Sequence, residues 1–524
     1  MGKQLGVLVE VMSRLFPGEN LAEKLPLGLQ SEEVHNIRYF SGSVEKGDLF
    51  FCKGAHFQEA YLREAEERGA LAFVSDRPFA SRIPGILVPD LRKTLMPVAL
   101  AFFDHPEREL DLIGLTGTKG KTSTCLELFQ IFRHCCGQTG VGLLSSLFLY
   151  DGKEKRSASL TTPEPFELVE TLDRCRKNGV KTVIMEISSQ ALKYGRITGL
   201  PLSQAAFLNI SPDHISPVEH PSFEDYFASK LKIFDHTQNA VLVKGGKYYE
   251  RIFQKARGCA HVGEVLMEEE EGKLPAPSAD ADASFSVTEL EETQEGLNFR
   301  FHWKEGKAKT GQEEVFLSAY GRFNGENAGV ALAIAYAAGL SMDKAAAALK
   351  EVKTPGRMEL TVSADGRLQT LVDYAHNGLS FEKAFAFSKQ HFPQSRLYVV
   401  FGSPGDKAVN RRRDLPEVAS RYADGIFFTA DDPGYETYEA ITEPMIAIAK
   451  GHGIPTWSYP IREEAVKEAF QKAYEAIRQG ESAMVLLLGK GIESAQKVRG
   501  KSLPISSDHE LAKHWMAAYE EGVK

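Results

Sequence analysis

The run Thr116-Gly-Thr-Lys-Gly-Lys-Thr122 constrains this chain more than any other feature. It follows an apolar stretch, Leu112–Leu115, that reads as a strand. It precedes a helical pattern with Cys125, Leu128, Phe129 and Phe132 on one face. Glycines let backbone N–H groups close on phosphate oxygens, and the helix N-terminus adds a partial positive charge. In that setting Gly117, Thr118, Lys119 and Gly120 form a phosphate cradle, Lys121 bridges the outer phosphates and the Thr122 hydroxyl holds Mg²⁺. The run is shorter than the usual GxxxxGK[ST], because Leu115 stands where the first glycine would be.

The rest of the chain alternates in the same way. Strand-like runs at Thr182–Ile187, Ala205–Ile210 and Ala240–Val243 are separated by helical patterns, which implies a parallel, helix-covered sheet. Before them, short strands (Asp48–Cys52, Leu71–Val74, Gly85–Val88) flank a helix near Gln58–Arg68, and Asp104-His-Pro-Glu-Arg reads as a boundary. Between about residues 258 and 318 an acidic run and a Pro/Ala/Asp stretch suggest a β-rich insertion, with strands at Phe285–Val287 and Leu297–Trp303. Helices are expected over Gly321–Leu340 and Ala345–Val352. Beyond Pro355-Gly-Arg357, strands are expected at Thr370–Asp373, Leu397–Phe401, Ile426–Thr429 and Met484–Leu488. The expected fold is α/β in three domains, 1–108, 109–354 and 355–524, which suits a 524-residue chain at roughly 150 residues per domain.

Composition narrows the function. Lys plus Arg is 62 and Asp plus Glu is 71, a formal charge of −9 with no strongly basic run, which argues against a nucleic-acid binder. The six cysteines show no CxxC or framework spacing and read as reduced thiols of a cytoplasmic protein. Glu10 and Arg14 interrupt any apolar leader. The most apolar helical stretch, 328–340, is shorter than the ~18 residues a spanning helix needs, so no membrane insertion is expected.

Polar residues gather just after the strands, as they do where an open α/β sheet binds ligand. Glu186 ends an apolar strand and suits a metal carboxylate near the phosphate loop. His214 sits in a loop after another strand, where surface placement is the ordinary reading, and Lys230 by default faces solvent on an amphipathic helix.

Taken together these segments resemble the Mur ligase family, most closely its MurE branch, the UDP-N-acetylmuramoyl-tripeptide synthetases. The marks run nearly end to end: TGTKGKT (116–122), TTP (161–163), MEISSQAL (185–192), FLNISPDHIS (207–216), YFASK (226–230), GRFNGEN (321–327), PGRME (355–359), VDYAH (372–376), FGSPGD (401–406), TADDP (429–433) and GKGIE (489–493). The resemblance implies an N-terminal UDP-binding α/β domain, a central P-loop ATPase domain and a C-terminal Rossmann-like domain. It implies an ATP- and Mg²⁺-dependent ligase joining a free amino acid to UDP-N-acetylmuramoyl-dipeptide through an acyl phosphate, in peptidoglycan synthesis, and a monomer is expected. Lys121, Glu186, His214 and Lys230 become catalytic, with Thr122, Glu186, His214 and a carbamylated Lys230 near metal. Asn327, Arg357 and Asp373 match ATP-holding positions. Ser41, Thr161, Thr162, Ser188 and Arg196 match the sugar-nucleotide substrate's, and Lys407, Asp431, Asp432, Gly489 and Glu493 match the amino acid's.

The departures bear on the acceptor. Branch members that add meso-diaminopimelate carry arginine after the proline of the TADDP run. Gly434 stands there instead and cannot make the bidentate bond to a distal carboxylate. An acidic loop lacking that arginine fits a cationic side chain, L-lysine first and ornithine next, with Asp431, Asp432 and Glu493 near its ammonium. Lys407 replaces an arginine, Val409 a lysine and Ile492 a histidine of the family pattern, with Arg411–Arg413 as substitutes for the lost charge. Competing readings are a ligase like folylpolyglutamate synthase, a motion-coupled P-loop ATPase and a binding module without ligase activity.

Overall fold

The computed structural model describes every residue except Met1, Asn20, 22–24, Ala55, His56, His214, 216–218, Glu270, Glu271, Gln294, Lys307, Ala308, 353–355 and Lys524. Three main sheets follow one another along the chain. The first is four-stranded and parallel, built from Ile37–Arg38, Leu49–Phe51, Ala72–Ser75 and Gly85–Leu87. Helix Leu5–Leu15, whose Leu5, Leu8, Val9 and Met12 recur at helical spacing on one buried face, packs with helix Leu91–Phe102.

The second sheet has eleven strands. Its parallel centre runs Val141–Leu144, Thr182–Glu186, Asp111–Thr116, Leu202–Phe207, Asn239–Val243, His261–Met267 and Ala283–Glu292. Strands Leu297–Glu305 and Lys309–Leu317 then turn antiparallel. The stretch expected as a separate β-rich insertion is therefore an extension of the same sheet. Its alternation (buried Phe299 and Phe301, outward Asn298 and Arg300) is that of strands covered on one face only. Strand 202–207 begins and ends three residues earlier than the apolar run suggested.

The third sheet orders Glu359–Val362, Leu368–Asp373, Ser482–Leu488, Ser395–Phe401, Gly425–Thr429 and Thr456–Tyr459, parallel except for the first. Among the described residues one apolar core joins the N-terminal helices to one face of the central sheet, and a second fills its other face beneath helices Arg322–Ala337 and Met342–Leu349. The C-terminal sheet keeps its own cores on its two faces. Among the described residues no helix is long and apolar enough to cross a membrane.

Candidate active site

Strands Asp111–Thr116 and Thr182–Glu186 are parallel neighbours with Glu186 opposite Leu115, which puts that carboxylate beside the start of the phosphate loop. Thr122 Oγ1 donates to Glu186 Oε2 at 3.1 Å, while the Ser146 amide and hydroxyl donate to Oε1 at 3.0 and 3.2 Å. Gly120 opens helix Lys121–Cys136 at φ +87°, and a Cβ there would lie 2.4 Å from Asn327 Oδ1, so only glycine lets the two elements meet. Lys121 Nζ is turned onto the loop's own Gly117 and Thr118 carbonyls at 2.9 and 3.3 Å.

Lys230 does not face solvent. It is 2% exposed, donates to the Gly117 carbonyl at 2.8 Å and lies 3.5 Å from Thr116 Oγ1. The helix Phe223–Leu231 is apolar on this side, with Tyr226 and Phe227 buried beside it, so the lysine stem completes the packing. Burial, with the Lys121 charge nearby, pushes its ammonium well below the usual lysine range.

Across the cleft stand the ends of the C-terminal strands. A cavity of about 390 Å³ is shared by the phosphate loop, Thr161, Glu186 and Asn327 on one wall and Arg357, Asp373, Gly489 and Glu493 on the other. The Asp373 carboxylate accepts from the Met358 and Ala375 amides, both at 2.7 Å. Arg357 stacks 4.5 Å over the Tyr374 ring, and its buried Nε has no hydrogen-bond partner among the described residues. Asn324 and Asn327 are not helix caps: Gly321 holds that position, and both asparagines are buried within the helix, Asn327 donating to Asn324 at 3.0 Å.

The electrostatics select the ligand class. Lys119, Lys121, Arg357 and Arg411 face one another closely enough that, with partial burial as the larger cause, Lys119 is lowered to about 8. Like charges brought together in a cleft fit a polyanion. The Thr122 hydroxyl and Glu186 carboxylate are hard oxygen donors of the kind Mg²⁺ takes and fit that ion. Among the described residues no group of three or more His, Cys, Asp or Glu side chains is placed around a metal, and His214 lies outside them.

At the far end of the cleft the acidic residues already hold a cation. Lys490, 1% exposed, puts Nζ 2.7 Å from Glu493, 3.0 Å from Asp432 and 3.8 Å from Asp431. Behind it a buried bidentate pair, Arg462–Asp508 at 2.6 and 2.7 Å, ties down the same loop through the Gly491 amide. Asp432 adopts φ +46°, a conformation that costs about 1–2 kcal/mol for a residue with a Cβ. Gly434 lies at φ +61°, and a Cβ there would fall 2.0 Å from Asp406 Oδ2, so it would displace that carboxylate from the Tyr435 amide it accepts from. Gly405 is reciprocally pressed against the Pro433 carbonyl, 1.8 Å from where its Cβ would be.

Lys407 is exposed and Val409 is 61% exposed. Of the three arginines, Arg412 is paired with Glu436 at 2.6 Å and Arg413 with Asp414 at 3.0 Å. Arg411 lies within the field of Asp213 and Asp431.

The remaining predicted positions do not line this cavity. Ser41 is buried and donates to Glu64 at 2.7 Å, Thr162 Oγ1 donates to the Glu186 carbonyl at 2.8 Å, and Ser188 caps helix Ser189–Lys193. Arg196 pairs with Glu164 at 2.8 Å, and Lys53 reaches the other oxygen of that carboxylate at 2.7 Å. Residues that sequence reasoning gave no role include Ser146, just past strand Val141–Leu144, and Lys490. A position just after a strand was the available signal for both; of Lys490's partners Glu493 is three residues away, while Asp431 and Asp432 are distant in sequence.

Comparison with known proteins agrees along most of the chain. Residues 115–335 match the Mur ligase middle domain and 356–491 the Mur ligase glutamate ligase domain. The UDP-N-acetylmuramoyl-L-alanyl-D-glutamate–L-lysine ligase of Enterococcus faecalis is 35% identical over 92% of this chain and 92% of its own. The UDP-N-acetylmuramyl-tripeptide synthetase of Lactobacillus delbrueckii subsp. bulgaricus is 33% identical over 93% of this chain and 94% of its own. A solved UDP-N-acetylmuramoyl-L-alanyl-D-glutamate–2,6-diaminopimelate ligase shares the fold at TM-score 0.61 and 21% identity, covering 99% of this chain and all (100%) of that one. The MurF ligase of Thermotoga maritima, solved in complex with ADP, does so at TM-score 0.58 and 16% identity over 93% of this chain and 98% of its own. With a shared fold, two domain matches and full-length relatives above 30% identity, the chain belongs to the Mur ligase family.

Proposed function

We propose that this protein is an ATP-dependent ligase that adds L-lysine to UDP-N-acetylmuramoyl-L-alanyl-D-glutamate during peptidoglycan precursor synthesis. The observation that carries the reading is the cleft where Lys119, Lys121 and Arg357 converge between the phosphate loop and the C-terminal strand ends, with Arg411 near enough to act on Lys119.

The chemistry follows from the charges. A carboxylate is a poor electrophile, so its oxygen takes the γ-phosphoryl group of ATP, giving an acyl phosphate and ADP. The nitrogen lone pair of the incoming amine then attacks the acyl carbon, the C–O bond to phosphate breaks, and the nitrogen loses a proton. Both steps crowd anions, which fixed positive groups in a half-closed cleft stabilise without reorganising. Lys121 and Lys119 hold phosphate oxygens, Arg357 supports them from the opposite wall, and Asp373 and Asn327 orient the nucleoside. Mg²⁺ at Thr122 and Glu186 supplies further charge neutralisation. Lys230, buried beside another ammonium, is suited to the neutral state in which an amine attacks CO₂. A carbamate so formed, with loss of a proton, turns it into an anionic oxygen donor.

The acceptor reading rests on Gly434 and on the acidic end of the cleft. Asp431, Asp432 and Glu493 surround the Lys490 ammonium, and with the nearby Arg462 already paired to Asp508 their carboxylates suit a substrate ammonium. The test supplies protein, ATP, Mg²⁺ and the UDP-dipeptide, and reads product mass across lysine, ornithine, meso-diaminopimelate and, with a folate acceptor, glutamate. A lysine-dependent product is expected, with turnover abolished in Lys121→Ala and Lys230→Ala. Product with meso-diaminopimelate alone would refute the Gly434 argument.

A further inference from the structure

We propose that His376 is a positioning residue of the nucleotide site, holding the Lys119 ammonium across the seam between the central and C-terminal sheets until a polyphosphate replaces it as that ammonium's partner. This rests on the nucleotide reading above. Lys119 Nζ lies 3.3 Å from His376 Nε2 and 3.8 Å from Asp213 Oδ2. Its main chain cannot drift, because the Asn209 side chain both accepts from the Lys119 amide at 2.9 Å and donates to its carbonyl at 3.1 Å. Only the side chain is free to choose a partner. The other loop ammonium, Lys121, is turned back onto its own loop, so Lys119 alone of the two crosses to the opposite sheet.

The hydrogen bonds fix the form of the imidazole. Nδ1 lies 2.7 Å from the Tyr374 carbonyl, which can only accept, so Nδ1 carries the hydrogen. Nε2 then presents a lone pair to Lys119. A doubly protonated ring would set an N–H against an ammonium, with Arg411 adding to the repulsion. The ring is held by the turn behind it, where the His376 amide donates to Ser380 Oγ at 3.2 Å and Asn377 caps helix Gly378–His391.

A neutral acceptor suits this position physically. A carboxylate here would bind Lys119 through a charge-assisted bond and compete with phosphate, whereas a neutral nitrogen holds it more weakly and yields it to an anion. Without His376 the ammonium is left to Asp213, and its charge is withdrawn from the nucleotide.

The experiment titrates a non-hydrolysable ATP analogue with Mg²⁺ into the full-length protein by calorimetry. It compares wild type, His376→Phe, His376→Ala, His376→Gln, Lys119→Met and the Lys119→Met/His376→Phe double variant. H376F and H376A are expected to weaken binding about tenfold, roughly 1.4 kcal/mol, and H376Q, which keeps a neutral acceptor, to stay within about threefold of wild type. In the K119M background H376F should add less than about twofold, since a residue acting through another loses its effect when that partner is gone. Wild-type affinity in both H376F and H376A, no rescue by H376Q, or an undiminished loss in the K119M background overturns the proposal. A wild-type protein that does not bind the analogue removes the nucleotide reading and this inference with it.

Discussion

Lys119 and Lys230 show how far a side chain's chemistry is set by its neighbours. With its ammonium lowered to about 8, Lys119 binds phosphate best while protonated, and an anion raises its proton affinity in turn. Affinity for the ATP analogue is therefore expected to hold to about pH 8 and fall above it. Calorimetric titration between pH 7 and 10 should show that slope in wild type and its loss in Lys119→Met. The sequence placed both lysines in motifs and could not rank them by exposure. Lys230 looks like a surface residue until helix Phe223–Leu231 packs its stem beneath the phosphate loop. Nor does the linear chain show that the Ser41 hydroxyl, assigned to substrate by family resemblance, donates to Glu64, 23 residues away.

Strands and their following loops were legible because local pattern dictates them. Three apolar residues before a polar one put Glu186 at a strand end, and parallel register did the rest. What the chain did not disclose are contacts between loops that follow different strands. The acidic run 431–432 reads as open to a ligand, but Lys490 from the loop after Ser482–Leu488 sits among its carboxylates. The Gly434 position behaves the same way. Sequence logic treats it as a missing arginine, whereas a Cβ there would sit on strained backbone at φ +61° and displace the Asp406 carboxylate from the Tyr435 amide. Gly434→Arg is thus expected not to convert the acceptor to meso-diaminopimelate. It should lose lysine ligation and destabilise the protein by about 1–2 kcal/mol, read from the denaturant midpoint.

Across the whole molecule the division of the cores matters more than the order of the sheets. The N-terminal helices share one apolar core with the central sheet, while the cores of the C-terminal sheet take in little from outside it among the described residues, Tyr320 and Phe323. It meets the rest through polar contacts such as Lys119–His376 and a small aromatic patch, Tyr320 against Phe387 at 5.3 Å. Differential scanning calorimetry is expected to resolve two transitions without nucleotide. Saturating Mg²⁺ and ATP analogue, at about 100 times the dissociation constant, should add about 2.7 kcal/mol and draw the two together. A single transition in both conditions would contradict this division. The reciprocal crowding of Gly405 by Pro433 and of Gly434 by Asp406 has its own consequence. The Gly405 turn has no slack against the Pro433 backbone, so a graft that swaps residues 433–434 for those of another acceptor type is expected to need residues 405–406 swapped with them.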